Sequence, residues 1–336
     1  MPFRDVIGHT RIVELLSRSI ARDALPPTLL FAGPAGVGKR LTATAVAQAL
    51  NCLHPSLEPV PFDACGNCPA CVRIARGVHP DVPVLQPGEN GSIKIEQVRD
   101  VVDRATYRPF EGRRRVVIID GADALAAAAQ NALLKTLEEP PSMSAVILIT
   151  ARPDVLLPTV LSRCPRLGFR PLSPNEIADA LIGRGQQATA ARAVAAAADG
   201  SLGRALEARA EDFVEARDVA EQVLTHAAST SDPRRRIEGA KDLLANTGGG
   251  GASDRGQLTV HLRAMASLLR DIELLSTRAG EGRLANPDLR PALDRLTGAY
   301  QGPRGIRAFA AVDRALVALE RNAGVKIVAD WLVLEL

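Results

Sequence analysis

The sequence predicts an α/β domain built on a parallel sheet and a phosphate loop, interrupted by a metal-binding insertion and followed by all-α segments to the end of the chain. Three observations carry this reading. Residues 33 to 40 read Gly-Pro-Ala-Gly-Val-Gly-Lys-Arg and lie between an apolar run and a helix-forming stretch. Two further apolar runs, Arg115 to Asp120 and Ala145 to Thr150, are rich in β-branched residues, which suits strands buried on both faces of a parallel sheet. Beyond Pro171 the strand-like runs stop and helical periodicity takes over.

Composition sets the outer limits. At 336 residues, 46% hydrophobic and 24% charged, the chain is long enough for two or three domains, each with its own core. The balance of 41 basic against 38 acidic residues is too even to argue nucleic-acid binding from the total charge. The start, Met-Pro-Phe-Arg-Asp-Val, lacks a basic-then-apolar signal pattern, and no apolar run approaches a membrane span, so a cytoplasmic location is expected. Five cysteines in such a chain argue for a metal site or free thiols rather than disulfides.

Leu29 to Ala32 ends directly at the glycine loop, and Leu41 to Leu50 continues as a helix former, giving the strand, loop and helix that a phosphate loop requires. In such a loop Gly33, Gly36 and Gly38 let backbone N–H groups close around phosphates, Lys39 reaches the β and γ phosphates, and the next hydroxyl holds Mg²⁺. Here the next residue is Arg40. A guanidinium stays charged near neutrality and has no acceptor atom, so it repels a cation instead of binding it. The sequence therefore predicts a nucleotide-binding fold that does not hydrolyse nucleotide, with occupancy of the loop by ATP or ADP left open.

The insertion after this helix carries Cys52, Cys65, Cys68 and Cys71, spaced C-x12-C-x2-C-x2-C. Closely spaced cysteines can aim two sulfurs at one ion, and four thiolates match tetrahedral Zn²⁺. An iron–sulfur cluster and a redox Cys-x-x-Cys pair are the rivals. His54 and His79 lie nearby and read as surface or capping residues; Cys164 reads as packed rather than reactive. The zinc is expected to be structural, stapling a segment too small to own a core.

The two later strands end on Asp120 and Thr150, which point at the ligand crevice of a parallel sheet. An ATPase of this type follows the strand aspartate with a glutamate that orients the attacking water. Here Gly121 follows, and Asp123 is expected in the loop or first turn before the next helix. That helix is predicted over Ala124 to Glu139, with Leu133, Leu134 and Leu137 as its apolar stripe and Pro140-Pro141 as its stop. Ser173-Pro174-Asn175-Glu176 supplies an N-cap, a first-turn proline and a capping-box glutamate. Small helices follow to about residue 212. Longer amphipathic helices then run to the end, marked by Leu258, Leu262, Met265, Leu269 and Ile272 and by the stretch Ile306 to Leu336, with a loop at Asn246 to Gly251. The runs Arg113 to Arg115 and Arg234 to Arg236 read as solvated faces, and Arg99 and Arg104 as candidate DNA contacts.

Three features in order, namely the cysteine cluster after a phosphate-loop helix, the run Asn131-Ala-Leu-Leu-Lys-Thr-Leu-Glu-Glu-Pro-Pro141 and then Leu161-Ser-Arg-Cys164, resemble the AAA+ clamp-loader subunits of bacterial DNA polymerase III. Arg40 and Gly121 make the chain similar to the family's non-motor, delta prime branch rather than to the gamma/tau motors. Arg321-Asn-Ala-Gly-Val-Lys326 resembles the same branch. The resemblance implies an AAA+ module with its zinc module at 52–71 over residues 1–170, a helical lid over 171–212 and a helical collar over 213–336. It implies a stator in a five-subunit ring with gamma/tau motors and a delta subunit, acting on the sliding clamp and primer-template DNA. It also implies an arginine finger at Arg163, delivered into a neighbour's ATP site. Motor subunits carry a sensor arginine at the position of Gly203, so Arg204 stands one residue out of place. No ATPase or polymerase activity is expected from the chain itself, although it would belong to a polymerase holoenzyme. The competing readings are an active gamma/tau-type ATPase and a zinc-dependent nucleic-acid-binding module.

Overall fold

The structure, a computed structural model, describes residues 1–58, 60–88, 91–207, 210–230, 232–244, 252–277, 284–320 and 323–336. The chain divides into two compact units, Met1–Pro171 and Leu172–Leu336.

In the first unit the order is α1 (Thr10–Ala21), β1 (Thr28–Ala32), α2 (Lys39–Asn51), α3 (Pro69–Ala75), β2 (Val84–Leu85), α4 (Ile95–Ala105), β3 (Arg115–Asp120), α5 (Ala127–Glu138), β4 (Ser144–Thr150), α6 (Pro158–Leu161) and β5 (Arg166–Gly168). The strands form one parallel sheet in the order β2-β3-β4-β1-β5. Register pairs Ile118 with Ile147 and Phe31 with Ile149, so alternate residues serve opposite faces. Phe31, Val116, Ile118 and Ile147 pack with α1, α2 and α3, whereas Leu30, Val117, Ile119 and Leu148 pack with α4, α5 and α6. Both faces are covered, which explains the unbroken apolar runs; each fully buried Leu or Ile there stabilises the fold by roughly 1.5–3 kcal/mol. Two strands lacked such a signal. β2 has two residues and the three-residue β5 is mostly solvent-facing.

The helix expected from Ala124 starts later, at Ala127. Gly121 enters a left-handed conformation (φ 88°), a 3-10 turn takes Ala122–Ala124, and the Ala124 carbonyl accepts the Ile93 N–H at 3.1 Å. Leu125 is thereby held extended and buried beside Ile93, which delays the helix. The leucine stripe lies as expected, with Leu133 and Leu137 buried and Leu134 packed against the same core.

The second unit holds α7 (Pro174–Ile182), α8 (Ala188–Ala197), α9 (Leu202–Glu207), α10 (Ala210–Ser229), α11 (Pro233–Leu244), α12 (Ala252–Ser276), α13 (Arg290–Tyr300), α14 (Pro303–Glu320) and α15 (Val325–Glu335). Ser173 Oγ accepts the Glu176 N–H at 3.2 Å and the Glu176 carboxylate accepts the Ser173 N–H at 2.7 Å, completing the capping box that starts α7. Residue 212, the expected lid–collar boundary, falls inside α10. Leu258, Leu262, Met265, Leu269 and Ile272 all face the core shared by α10 to α15, where Tyr300 is fully buried and donates to the Leu224 carbonyl at 2.9 Å. The stretch from Ile306 is divided between α14 and α15, and Ile306 itself faces solvent. The loop expected at Asn246 to Gly251 lies outside the described residues, as do Arg321 and Asn322 of the terminal motif. Among the described residues no helix is long and apolar enough to cross a membrane.

Candidate functional site

The glycine loop joins β1 to α2, and its shape depends on residues without a Cβ. Gly33, Gly36 and Gly38 all have positive φ, and a Cβ on Gly33 would stand 2.2 Å from the Phe169 carbonyl oxygen. Lys39 opens α2 with its side chain turned into the loop, where Nζ donates to the Gly33 carbonyl at 2.6 Å and the Pro34 carbonyl at 2.5 Å. Burial lowers the Lys39 pKa, and the charges of Asp120 and Asp123 oppose that shift.

Arg40 projects from the first turn of α2 toward the end of β3. Its Nη1 lies 3.4 Å from Asp120 Oδ2, and Gln86 Nε2 donates to the same oxygen at 3.3 Å. The carboxylate that an ATPase of this type turns toward its metal is here paired to a fixed cation of the same chain. Gly121 follows, and a Cβ there would meet Pro87 Cγ at 3.0 Å in a backbone region that side chains avoid. A catalytic glutamate at this position would require the turn to be rebuilt.

Thr150 is buried at the end of β4 and donates to Asp123 Oδ1 at 3.0 Å, while Arg152 Nε donates to Asp123 Oδ2 at 3.4 Å. Burial pushes the Asp123 carboxyl up, but the bonds from Thr150, Ala151 and Arg152 outweigh it and hold it below the usual carboxylate range. Asp120 and Thr150 are thus each already engaged within the chain, Asp120 by Arg40 and Gln86 and Thr150 by Asp123.

The four cysteines converge at the junction of α2 and α3: Cys52 caps the end of α2, Cys68 precedes α3, and Cys71 lies inside it. Their sulfurs all lie within 4.8 Å of one another, and Cys52, Cys68 and Cys71 are buried. Tetrahedral thiolates at the usual zinc–sulfur distance stand about 3.8 Å apart, so the four sulfurs fit one ion; a multi-iron cluster would hold them further apart. Two of the sulfurs already accept backbone N–H groups, Cys65 N to Cys52 Sγ at 3.2 Å and Cys68 N to Cys65 Sγ at 3.3 Å. Burial pushes the Cys52 and Cys71 thiols up; for Cys68 hydrogen bonds outweigh burial and bring it down to about 6. A module of this size holds its own small core of Cys52, Ala64, Cys68, Ala70 and Cys71. His54 and His79 stand outside the cluster. His79 is nevertheless buried, its Nδ1 accepting the Asp81 N–H at 3.2 Å, so it is an internal cap and not a surface residue.

Arg163 follows α6. Thr28 Oγ1 holds its carbonyl at 2.9 Å, which ties this turn to the start of β1. The guanidinium Nε donates to Glu138 Oε1 at 2.8 Å, and the side chain is a third exposed. Neighbouring Cys164 is buried, and burial pushes its thiol up to about 11, as suits a packed residue. Arg204 lies in the second unit with its Nη1 3.6 Å from Asp199 Oδ2.

The expectation of solvated faces holds for the exposed Arg113, Arg234 and Arg235 and fails for Arg115. Arg115 is buried, ion-paired to Asp81 at 2.9 Å and donating to the Arg104 carbonyl; Arg114 pairs with Asp23 at 2.6 Å; Arg113 donates to the Cys52 carbonyl. Asp81 also accepts the N–H groups of Phe110, Glu111 and Gly112 at 2.7, 2.9 and 2.8 Å. The loop between α4 and β3 is therefore folded around a buried ion pair. Arg236 bonds the carbonyls of Ala227, Thr230 and Leu334. Such charges satisfy backbone acceptors in neighbouring loops and, for Cys52 and Leu334, far away in sequence, and no local pattern reveals them. Of the two candidate DNA contacts, Arg99 is exposed and Arg104 is paired with Asp100 at 3.1 Å. Glu138 and Gln86 were likewise invisible as partners, because α6 and β2 had to be placed first.

Comparison with known proteins gives a consistent set of relatives. The family described as "DNA polymerase III, delta subunit" matches residues 8–173. The delta' subunit of DNA polymerase III from Bacillus subtilis is 37% identical over 208 residues, 62% of this chain and 61% of that protein. The delta' subunit from Pseudomonas aeruginosa is 44% identical over 136 residues, 40% of each chain. The tau subunit from Bacillus subtilis is 34% identical over 182 residues, 54% of this chain and 31% of its own length. The matched segments thus span about three fifths or less of these curated relatives. A gamma subunit-related protein from Thermotoga maritima superposes over 95% of this chain and 96% of its own, with a TM-score of 0.40 and 18% identity.

Proposed function

Because the chain belongs to the delta prime branch of the DNA polymerase III clamp-loader AAA+ family, we propose that it is the non-hydrolysing stator of that assembly. It would join gamma/tau motor subunits and a delta subunit in a five-membered ring that loads the sliding clamp onto primed DNA, in the cytoplasm.

The observation that carries the reading is the pairing of Arg40 with Asp120 beside Gly121. The pair places a permanent cation where Mg²⁺ would bridge the loop to the strand end, and the glycine removes the group that would orient water. Gly33, Gly36, Gly38 and Lys39 would remain as a scaffold for phosphates without turnover. In the same reading Arg163 serves a neighbour. A planar, always-charged fork delivered to a transferring phosphoryl group stabilises its charge, an effect worth roughly 10³ to 10⁵ in rate in well-studied GTPases. Its firm backbone anchorage to β1 supports that role. Zinc would be held by Cys52, Cys65, Cys68 and Cys71 as a structural staple joining α2 to α3. The chain's own contribution there is to bring four sulfurs together, two of them, Cys52 and Cys65, held by backbone N–H bonds. The helices from 172 onward would supply the lid and collar, with α10 to α15 sharing one apolar core.

The test is reconstitution with and without this chain. The isolated chain should show no DNA-stimulated ATP turnover, and omitting it should abolish clamp loading by the remaining subunits. Turnover at a motor's rate, abolished by Lys39→Ala, would identify it as a motor instead.

A further inference from the structure

The guanidinium of Arg163 is held from two sides. Nε donates to Glu138 Oε1 at 2.8 Å and Nη2 to the same oxygen, while Nη1 donates to the Thr159 carbonyl at 2.8 Å and to Ser162 Oγ at 3.2 Å. Those four bonds engage four of the five N–H groups an arginine owns. Glu138 is the last residue of α5, at the negative end of the helix dipole. A carboxylate is disfavoured there by the helix itself, and a nearby cation offsets that. The pair lies at the surface, with side chains 32% and 49% exposed.

We infer that Glu138 is a positioning residue for the trans-acting arginine: it keeps Arg163 folded along α6 and sets the ATP concentration at which the neighbour's triphosphate draws the guanidinium away. This rests on the reading of Arg163 as a finger. The carboxylate and the triphosphate are both anions, and they compete for the same Nε and Nη2 donors. While Glu138 holds them, the local charge is neutralised and little attraction extends to a neighbour. A half-exposed ion pair shifts an equilibrium by a factor of roughly 1.4 to 5. That is weak enough for charge-assisted bonds to phosphate to displace it, and strong enough to measure. Because the restraint acts before the transition state, removing it changes the half-saturating ATP concentration rather than the maximal rate.

The experiment uses the reconstituted complex with its motor subunits, clamp and primed DNA, and compares ATP saturation curves for wild type, Glu138→Gln, Glu138→Asp and Arg163→Ala. Glu138→Gln should lower KM for ATP roughly 1.4- to 5-fold, leaving kcat within about twofold, and Glu138→Asp should return KM toward wild type. The gap between wild type and Glu138→Gln should close as salt rises, since screening weakens the exposed pair. An unchanged KM in Glu138→Gln, alongside a lost rate in Arg163→Ala, overturns this inference alone. A Glu138→Gln rate that falls like that of Arg163→Ala also overturns it, because Glu138 would then support the engaged finger. A normal rate in Arg163→Ala removes the finger reading and this inference with it.

Discussion

Arg40→Thr puts the reading of the phosphate loop at risk most simply. The substitution deletes a cation 3.4 Å from the Asp120 carboxylate and supplies the hydroxyl that a metal-binding loop uses. Two unit charges at that distance interact by about 1.2 kcal/mol with water screening and about 5 kcal/mol at an effective dielectric of 20. The Arg40 side chain is 54% exposed, so the lower figure governs. A divalent cation at a similar distance is repelled twice as strongly, by about 2.4 kcal/mol, which is close to a 60-fold change in binding. Titrating a fluorescent ATP analogue with and without Mg²⁺ should therefore show Mg²⁺-dependent binding appearing in Arg40→Thr, stronger than in wild type by roughly 60-fold. Hydrolysis should stay absent because Gly121 is unchanged. Equal Mg²⁺ dependence in the two proteins would refute the claim that Arg40 excludes the metal, and turnover by the variant would refute the role given to Gly121.

Three further outcomes follow from the geometry. The purified chain should carry about one zinc ion, and Cys71→Ser should lower both the metal content, read by elemental analysis, and the thermal midpoint. Burial raises the Asp81 carboxyl, but the N–H groups of Glu111, Phe110 and Gly112 and the Arg115 guanidinium outweigh it and bring it from 3.8 to about 2. A depressed folded pKa contributes stability above the unfolded value that is lost as pH falls through the folded one, so about 2 kcal/mol should vanish between about pH 4 and pH 2. Asp81→Asn should flatten that pH dependence and lower stability by about 3–5 kcal/mol in urea titrations, since Arg115 would be left buried without its counter-charge. Gly33→Ala should cost about 2 kcal/mol or more by the same assay, because its Cβ would meet the Phe169 carbonyl oxygen at 2.2 Å.

The parts of this molecule that were legible in the sequence are those whose cause is local. The strands β1, β3 and β4 are buried on both faces and declare themselves as apolar runs, rich in β-branched residues in β3 and β4. Ser173 to Glu176 carries its whole capping box within four residues. The cysteine spacing was enough to bring four sulfurs together, because two tight pairings leave the backbone few ways to place them. Where the cause is tertiary, local pattern failed. Arg115 looked like one of three surface arginines until Asp81 was placed beside it, and the start of α5 moved because Ile93, some thirty residues away, claims the Ala124 carbonyl. The Arg40–Asp120 pair lies between these cases: each residue drew attention alone, and their contact required the parallel order of β3, β4 and β1.

The account stands most directly on ATP turnover by the reconstituted clamp loader containing Arg163→Ala, measured with clamp and primed DNA and accompanied by a check of assembly by size-exclusion chromatography. The complex should form normally while its stimulated turnover falls at least tenfold, a conservative share of the effect that such arginines exert elsewhere. An intact complex turning over ATP at the wild-type rate would contradict the claim that this chain has given up its own nucleotide chemistry and serves that of a neighbour.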